Sequence, residues 1–243
     1  MVNVAESPPA ALLFDVFGTL VDWRSGVIDA LRAFALRQGV AADWDAFADE
    51  WRAAYAPFMQ RVRSGAIGWQ NLDALHRMSL DGLLERYGIA GVAQAERRRL
   101  VYAWHALPAW PDTVAGLERL RKRYVIASLS NGNVALQVDL RRHAGLPFDM
   151  LFSAELFRHY KPDAQTYRGA CALLDLEPHR VMLVAAHPSD LSAARSCGLS
   201  TAFVARPLEE GPRKAGAAAE SVPEGTFALA VDSIVGLAAA LGA

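Results

Sequence analysis

The chain has 243 residues, enough for one large core or for a core with a smaller companion. Hydrophobic residues at 53% and charged residues at 21% make a globular composition and exclude a disordered one. A formal net charge of -1 leaves no electrostatic footprint for nucleic acid. No apolar run approaches membrane-spanning length, so neither nucleic acid nor a membrane is expected as a partner.

Residues 1–9 carry neither a basic end nor an apolar signal core. Both cysteines, Cys171 and Cys197, fall in helical patterns rather than a disulfide framework, and the expectation is a reduced, cytoplasmic protein. The first element is Leu12-Leu13-Phe14, an apolar run of the kind buried on both faces of a sheet. It meets Asp15 and breaks at Gly18-Thr19, so the carboxylate sits where ligands of open α/β sheets bind.

A helical period then holds for some eighty residues. Val27, Leu31 and Phe34 share one helix face, and Gly39 can stop that helix. Asp43 is placed to cap a second helix whose apolar stripe runs through Trp44, Phe47, Trp51, Tyr55, Phe58 and Val62. Pro57 lies inside that stripe and is expected to kink the helix and release the carbonyl of Ala53. A third helix carries Trp69, Leu72, His76, Leu80 and Leu83. A fourth, with Arg97-Arg98-Arg99 as a solvated face, runs to about Leu107.

From Asp112 short apolar strands alternate with helices: Tyr124 to Leu129, Met150 to Phe152, Val181 to Ala185, Thr201 to Val204, and an edge strand over Phe227 to Val231. Helices over Asp163 to Leu174 and Ser189 to Cys197, with a last one to Leu241, complete parallel βαβ units. Arg206 to Gly225, rich in Pro, Gly, Ala and charge, reads as a long surface loop. The fold class is α/β, a doubly wound, mostly parallel, Rossmann-like sheet. Residues 1–24 and 107–243 form the core, and residues 25–106 form a helical cap inserted after the first strand.

Four strand ends each deliver a polar cluster: Asp15, Ser130-Asn131, Lys161 and His187-Ser189-Asp190. In a doubly wound sheet these ends converge along one edge. Asp15-Val-Phe-Gly-Thr19, Ser130-Asn131, Lys161-Pro162-Asp163 and Ser189-Asp190, in this order, resemble the haloacid dehalogenase superfamily, and within it the type II L-2-haloacid dehalogenases. The resemblance spans nearly the whole chain and implies hydrolysis of short (S)-2-haloacids to (R)-2-hydroxy acids. It implies a homodimer, and neither a cofactor nor a metal.

Phe17 discriminates between reactions. Superfamily phosphatases carry there an Asp that protonates the leaving alcohol; a phenyl ring donates no proton, and a halide needs none. A Mg²⁺-dependent phosphatase is therefore the second reading. Opening of a strained small-ring amino acid by the same Asp15 chemistry is a related one, and a silent scaffold is a third. An ionised Asp15 needs no base to act as nucleophile, and attack on the halogen-bearing carbon forms an aspartyl ester that water then hydrolyses.

Lys161 is expected to hold Asp15, and Asp190 to hold Lys161 and help activate water. The resemblance assigns Arg52 and Asn131 to the halide. It assigns Ser130, Thr19 and the backbone near Phe17 to the substrate carboxylate or to orienting Asp15. Tyr167 and Trp69 match family aromatics near the substrate. One departure stands out: family members carry Ser and Asn where this chain has Ala185 and His187. His187 is then expected to donate to Asp190, bind the halide, or narrow the pocket for a smaller leaving group such as fluoride.

Overall fold

The computed structural model describes residues 8–212 and 225–243. The N-terminal residues 1–7, and residues 213–224 of the loop expected over Arg206–Gly225, lie outside them. The sheet is built from β1 (Ala11–Phe14), β2 (Val125–Ser130), β3 (Met150–Ser153), β4 (Val181–Ala185), β5 (Ser200–Val204) and β6 (Leu229–Val231). Their order is β3-β2-β1-β4-β5-β6, and every pairing is parallel. β1 pairs with β2 on one side and β4 on the other, so the chain reverses its winding direction at β1. That reversal opens a crevice at the carboxyl end of β1, where Asp15 follows Phe14.

The strands are apolar throughout because both faces are covered. Side chains alternate between faces. Leu12, Phe14, Ile126, Met182 and Val184 enter one core cluster, whereas Leu13, Ala127, Leu129, Leu183 and Ala185 enter another. The first is closed by α6 (Thr113–Leu120), α7 (Val134–Ala144) and α11 (Ile234–Ala240). The second is closed by α9 (Ala164–Leu173) and α10 (Pro188–Ser196). A short α8 (Ala154–Phe157) follows β3.

Between β1 and β2 the chain is helical: α1 (Trp23–Gln38), α2 (Trp44–Ala53), α3 (Tyr55–Arg63), α4 (Leu72–Arg86) and α5 (Gln94–Val101), then a 3-10 turn at Tyr102–His105. Asp22 caps α1 by accepting from Ser25 N, and Gly39 ends it in the left-handed region. The stretch read as one kinked helix is two. Pro57 has no N–H to bond the carbonyl of Ala53, and the chain breaks at Ala54 between α2 and α3. Arg52 therefore ends one helix and Tyr55 begins the next. The fourth helix stops at Val101 and tightens into the 3-10 turn, short of Leu107.

An aromatic cluster ties these helices together. Trp23 stacks on Trp104 at 6.1 Å, and Trp51 meets Trp104 edge-on at 5.6 Å. Polar contacts fasten them to the rest of the chain. Tyr160 donates to Gln70 O at 2.8 Å, Arg63 Nε to Asp163 at 2.9 Å, and Asn133 Nδ2 to Asp73 at 2.9 Å. The edge strand is shorter than expected: Phe227 lies outside β6 and packs on Phe203.

Candidate active site

Asp15 lies one residue beyond β1, 7% exposed. Its Oδ1 accepts from Lys161 Nζ at 2.8 Å. Its Oδ2 accepts from Thr19 Oγ1 at 2.8 Å and faces His187 Nδ1 at 3.2 Å. Thr19 in turn accepts from Ala186 N at 2.9 Å, which locks the hydroxyl as a donor toward Asp15. Gly18, at φ 81, makes the turn that brings Thr19 back over the carboxylate.

Lys161 is equally buried and bridges two carboxylates, donating also to Asp190 Oδ2 at 2.6 Å. Asp190 stands in the first turn of α10, where the helix dipole favours an anion. Its other oxygen accepts from Tyr167 Oη at 2.5 Å. Asn131 Oδ1 accepts from Lys161 N at 2.8 Å. Burial alone would raise the pKa of Asp15, but the Lys161 charge and the His187 contact outweigh it and hold the carboxyl well below the usual range. Lys161 is held charged by Asp15 and Asp190 against the same burial.

His187 sits between two carboxylates. Its Nδ1 faces Asp15, and its Nε2 faces Glu209 Oε1 at 3.0 Å. Burial works against a charged ring, yet hydrogen bonds to Asp15 and Glu209 push its pKa up to about 10. The alternative in which His187 donates to Asp190 is corrected, because both ring nitrogens face other carboxylates, Asp15 and Glu209. Glu209, 9% exposed, also accepts from Trp23 Nε1 at 3.2 Å. The start of the loop expected to lie on the surface is thus part of the site.

A cavity of about 250 Å³ opens over these groups, lined by Asp15, Phe17, Asn131, Lys161, His187 and Asp190 from below. Arg52, Tyr55 and Met59 line it from the helices above. The Arg52 guanidinium lies 4.6 Å from the Tyr55 ring centre and 5.5 Å from that of Trp23. No carboxylate forms a salt bridge with Arg52 among the described residues.

Sequence reasoning named Asp15, Phe17, Arg52, Asn131, Lys161, His187 and Asp190, and the geometry brings them to one cavity. Three other residues stand elsewhere. Trp69 is outside the lining and stacks on Tyr160 at 4.8 Å, as a packing residue. Ser130 is buried and accepts from Gly132 N at 3.0 Å, so it shapes the loop and leaves Asp15 alone. Tyr167 supports Asp190 from behind the cavity wall. Tyr55 and Glu209 were missed as site residues.

An all-parallel sheet with a carboxylate–lysine–carboxylate row at its switch point, under a helical insertion, defines a class of hydrolases. The family model of haloacid dehalogenase-like hydrolases matches residues 9–198, and the chain belongs to that family. Among solved structures it is similar to the L-2-haloacid dehalogenase PA0810, with a TM-score of 0.91 and 49% identity over 96% of this chain and 99% of that one. It is also similar to the defluorinating L-2-haloacid dehalogenase Rha0230, with a TM-score of 0.92 and 42% identity over 98% of both. (S)-2-haloacid dehalogenase 4A of Burkholderia cepacia is 30% identical over 81% of this chain and 83% of its own length.

Proposed function

We propose that this hydrolase removes halide from short (S)-2-haloacids, fluoroacetate included, and yields (R)-2-hydroxy acids through an ester on Asp15. The observation that carries the reading is an ionised carboxylate with no carboxylic acid at the position two residues beyond it. Asp15 is held as the anion by Lys161, and the position that would protonate a leaving alcohol is the phenyl ring of Phe17. Such a site suits a leaving group that departs as an anion.

Oδ1, which accepts from Lys161 alone, keeps a lone pair for back-side attack on the halogen-bearing carbon, while Oδ2 is held by Thr19 and His187. Alignment of nucleophile and carbon supplies on the order of 7–11 kcal/mol of the barrier. Arg52, whose contacts are aromatic faces, has guanidinium N–H groups available for the departing halide together with Asn131. Water then attacks the Asp15 carboxyl carbon with Asp190 as base. Fluoroacetate is included because a defluorinating enzyme resembles this chain over its whole length. The reading takes residues 25–106 as a cap that excludes water from a core of 1–24 and 107–243. It takes the enzyme as a cytoplasmic homodimer without a cofactor.

The test is halide release from fluoroacetate, chloroacetate and both 2-chloropropanoate enantiomers in the presence of a chelator, with single-turnover hydrolysis in heavy-oxygen water. Release from the (S) enantiomer with label entering Asp15 is the expected result. Absence of halide from all four, with Mg²⁺-dependent phosphate release from a phosphate ester, overturns it.

A further inference from the structure

We propose that Glu209 is a positioning residue that keeps His187 as a charged hydrogen-bond donor on Asp15 Oδ2, and that this donor and Thr19 form the oxyanion site for hydrolysis of the Asp15 ester. The inference rests on the ester reading above and concerns only its second half.

The two ring nitrogens of His187 each face a carboxylate oxygen, Asp15 Oδ2 at 3.2 Å and Glu209 Oε1 at 3.0 Å. Ionised carboxylates only accept hydrogen bonds, and a neutral imidazole has one N–H. A neutral ring would aim a lone pair at one of the two anions. The doubly protonated ring satisfies both, and the raised pKa of His187 agrees with that geometry. The remaining charged groups around the cavity, Lys161 beyond Asp15 and Asp190 on α10, are paired with one another, and Arg52 lies across the cavity.

Glu209 is built in for this contact. A buried carboxylate costs stability unless it is paired, and its partners here are the His187 ring and the Trp23 indole N–H. Space for it exists because residue 18 is glycine: a Cβ at Gly18 would lie 1.9 Å from Glu209 Oε1. Gly18 thus has a second role beyond its positive φ.

The role follows from what happens to charge. In the resting enzyme Asp15 and Glu209 both hold the ring protonated. Once Oδ1 is alkylated, Asp15 is neutral, and Glu209 alone keeps the imidazolium. In the next step the water oxygen bonds to the Asp15 carboxyl carbon and passes one proton to Asp190. The C–O π pair moves onto Oδ2, where the Thr19 hydroxyl and the His187 Nδ1–H receive the developing charge. Collapse restores the carbonyl and breaks the bond from the carboxyl carbon to Oδ1. The proton on Asp190 goes to the departing hydroxy-acid oxygen, and the second water proton leaves Asp15 to solvent. With both nitrogens donating, His187 has no lone pair for a proton and is not the base.

Rapid-quench turnover of chloroacetate, with intact-protein mass spectrometry to count the ester, separates the two halves. Glu209→Gln, which retains an acceptor for Trp23, should release one equivalent of chloride at close to the wild-type rate. Its ester should then decay on the order of 10²-fold more slowly. In the wild type, ester decay should hold into alkaline pH and fall as His187 loses its proton; in the variant that fall should move down toward the ordinary imidazole value of ~6.5. His187→Gln should slow the same half-reaction. A variant that forms the ester and clears it at the wild-type rate, with an unmoved pH limb, overturns the proposal and leaves the ester reading intact. Absence of halide release from the wild type, with no heavy-oxygen label entering Asp15 in a single turnover, overturns both. Nitrogen NMR of the unmodified enzyme gives an independent check: both His187 nitrogens should be protonated at pH 7, and a neutral ring overturns the proposal without any variant.

Discussion

The floor and the roof of the cavity handle charge in opposite ways. On the floor every ionised group has a partner: Lys161 lies between Asp15 and Asp190, and His187 between Asp15 and Glu209. In the roof Arg52 rests on the faces of Tyr55 and Trp23. Charges buried at a sheet edge are tolerable only as a closed network, because each uncompensated one costs several kcal/mol. A cation laid on aromatic rings is held without being neutralised. The floor therefore sets its own protonation states, and the roof keeps a positive charge that no salt bridge neutralises among the described residues.

The largest expected effects come from breaking the floor, and two substitutions break it differently. Asp15→Asn removes the proposed nucleophile but leaves Lys161 on Asp190 and His187 on Glu209. Halide release should fall on the order of 10⁴-fold or more, while the melting temperature moves little. Lys161→Met strands Asp15 and Asp190 facing each other. That should cost about 3–5 kcal/mol of stability as well as activity, and denaturant unfolding would measure it. Should Asp15→Asn prove the more destabilising, the network is not closed as described.

Breaking the roof should cost less and leave the fold alone. Arg52→Met removes a cation that stabilises the native state only through ring contacts worth ~0.5–1 kcal/mol each. Specificity for haloacid, kcat/KM, should drop on the order of 10²-fold, with stability within about 1 kcal/mol of wild type. A loss of stability as large as that for Lys161→Met would show Arg52 to be a packing residue instead.

The floor was legible in the sequence because its members come soon after apolar strands: Asp15 and Asn131 directly follow β1 and β2, Asp190 lies in the first turn of α10 after β4, and Lys161 lies beyond α8 after β3. Parallel order then placed them side by side. Arg52 was legible only through the family resemblance, since on its own it is one more arginine on a helix. Glu209 was invisible. It lies in a stretch whose composition is that of a solvated loop, and it meets Trp23 across 186 positions of chain. Local pattern carries no signal for such a contact, and even Gly18, read as a break in the strand, conceals that it leaves room for this carboxylate. Ser130 and Trp69 fail for the converse reason: a polar residue at a strand end and an aromatic above it fit the site and the core equally well until coordinates separate them.

The smallest effect is expected where the roof meets the floor. His105, 3% exposed and at the end of the helical insertion, has Nε2 3.0 Å from Asp73 on α4 and Nδ1 2.8 Å from Asp139 on α7. Burial disfavours its charge, but hydrogen bonds to both carboxylates win and raise its pKa above the ordinary value. Asp73 is held below the usual carboxylate range despite its own burial, with His105 and Asn133 as partners. A histidine whose pKa rises on folding stabilises the fold fully below its unfolded value of ~6.5, and that contribution fades as pH climbs through the folded value. The melting temperature of the wild type should therefore exceed that of His105→Gln most at about pH 6, and the gap should narrow at alkaline pH. For a chain of this size, 1 kcal/mol corresponds to roughly 2–4 °C. A gap that widens as pH rises would mean that the ring is neutral in the fold and that the junction is held by packing rather than by charge.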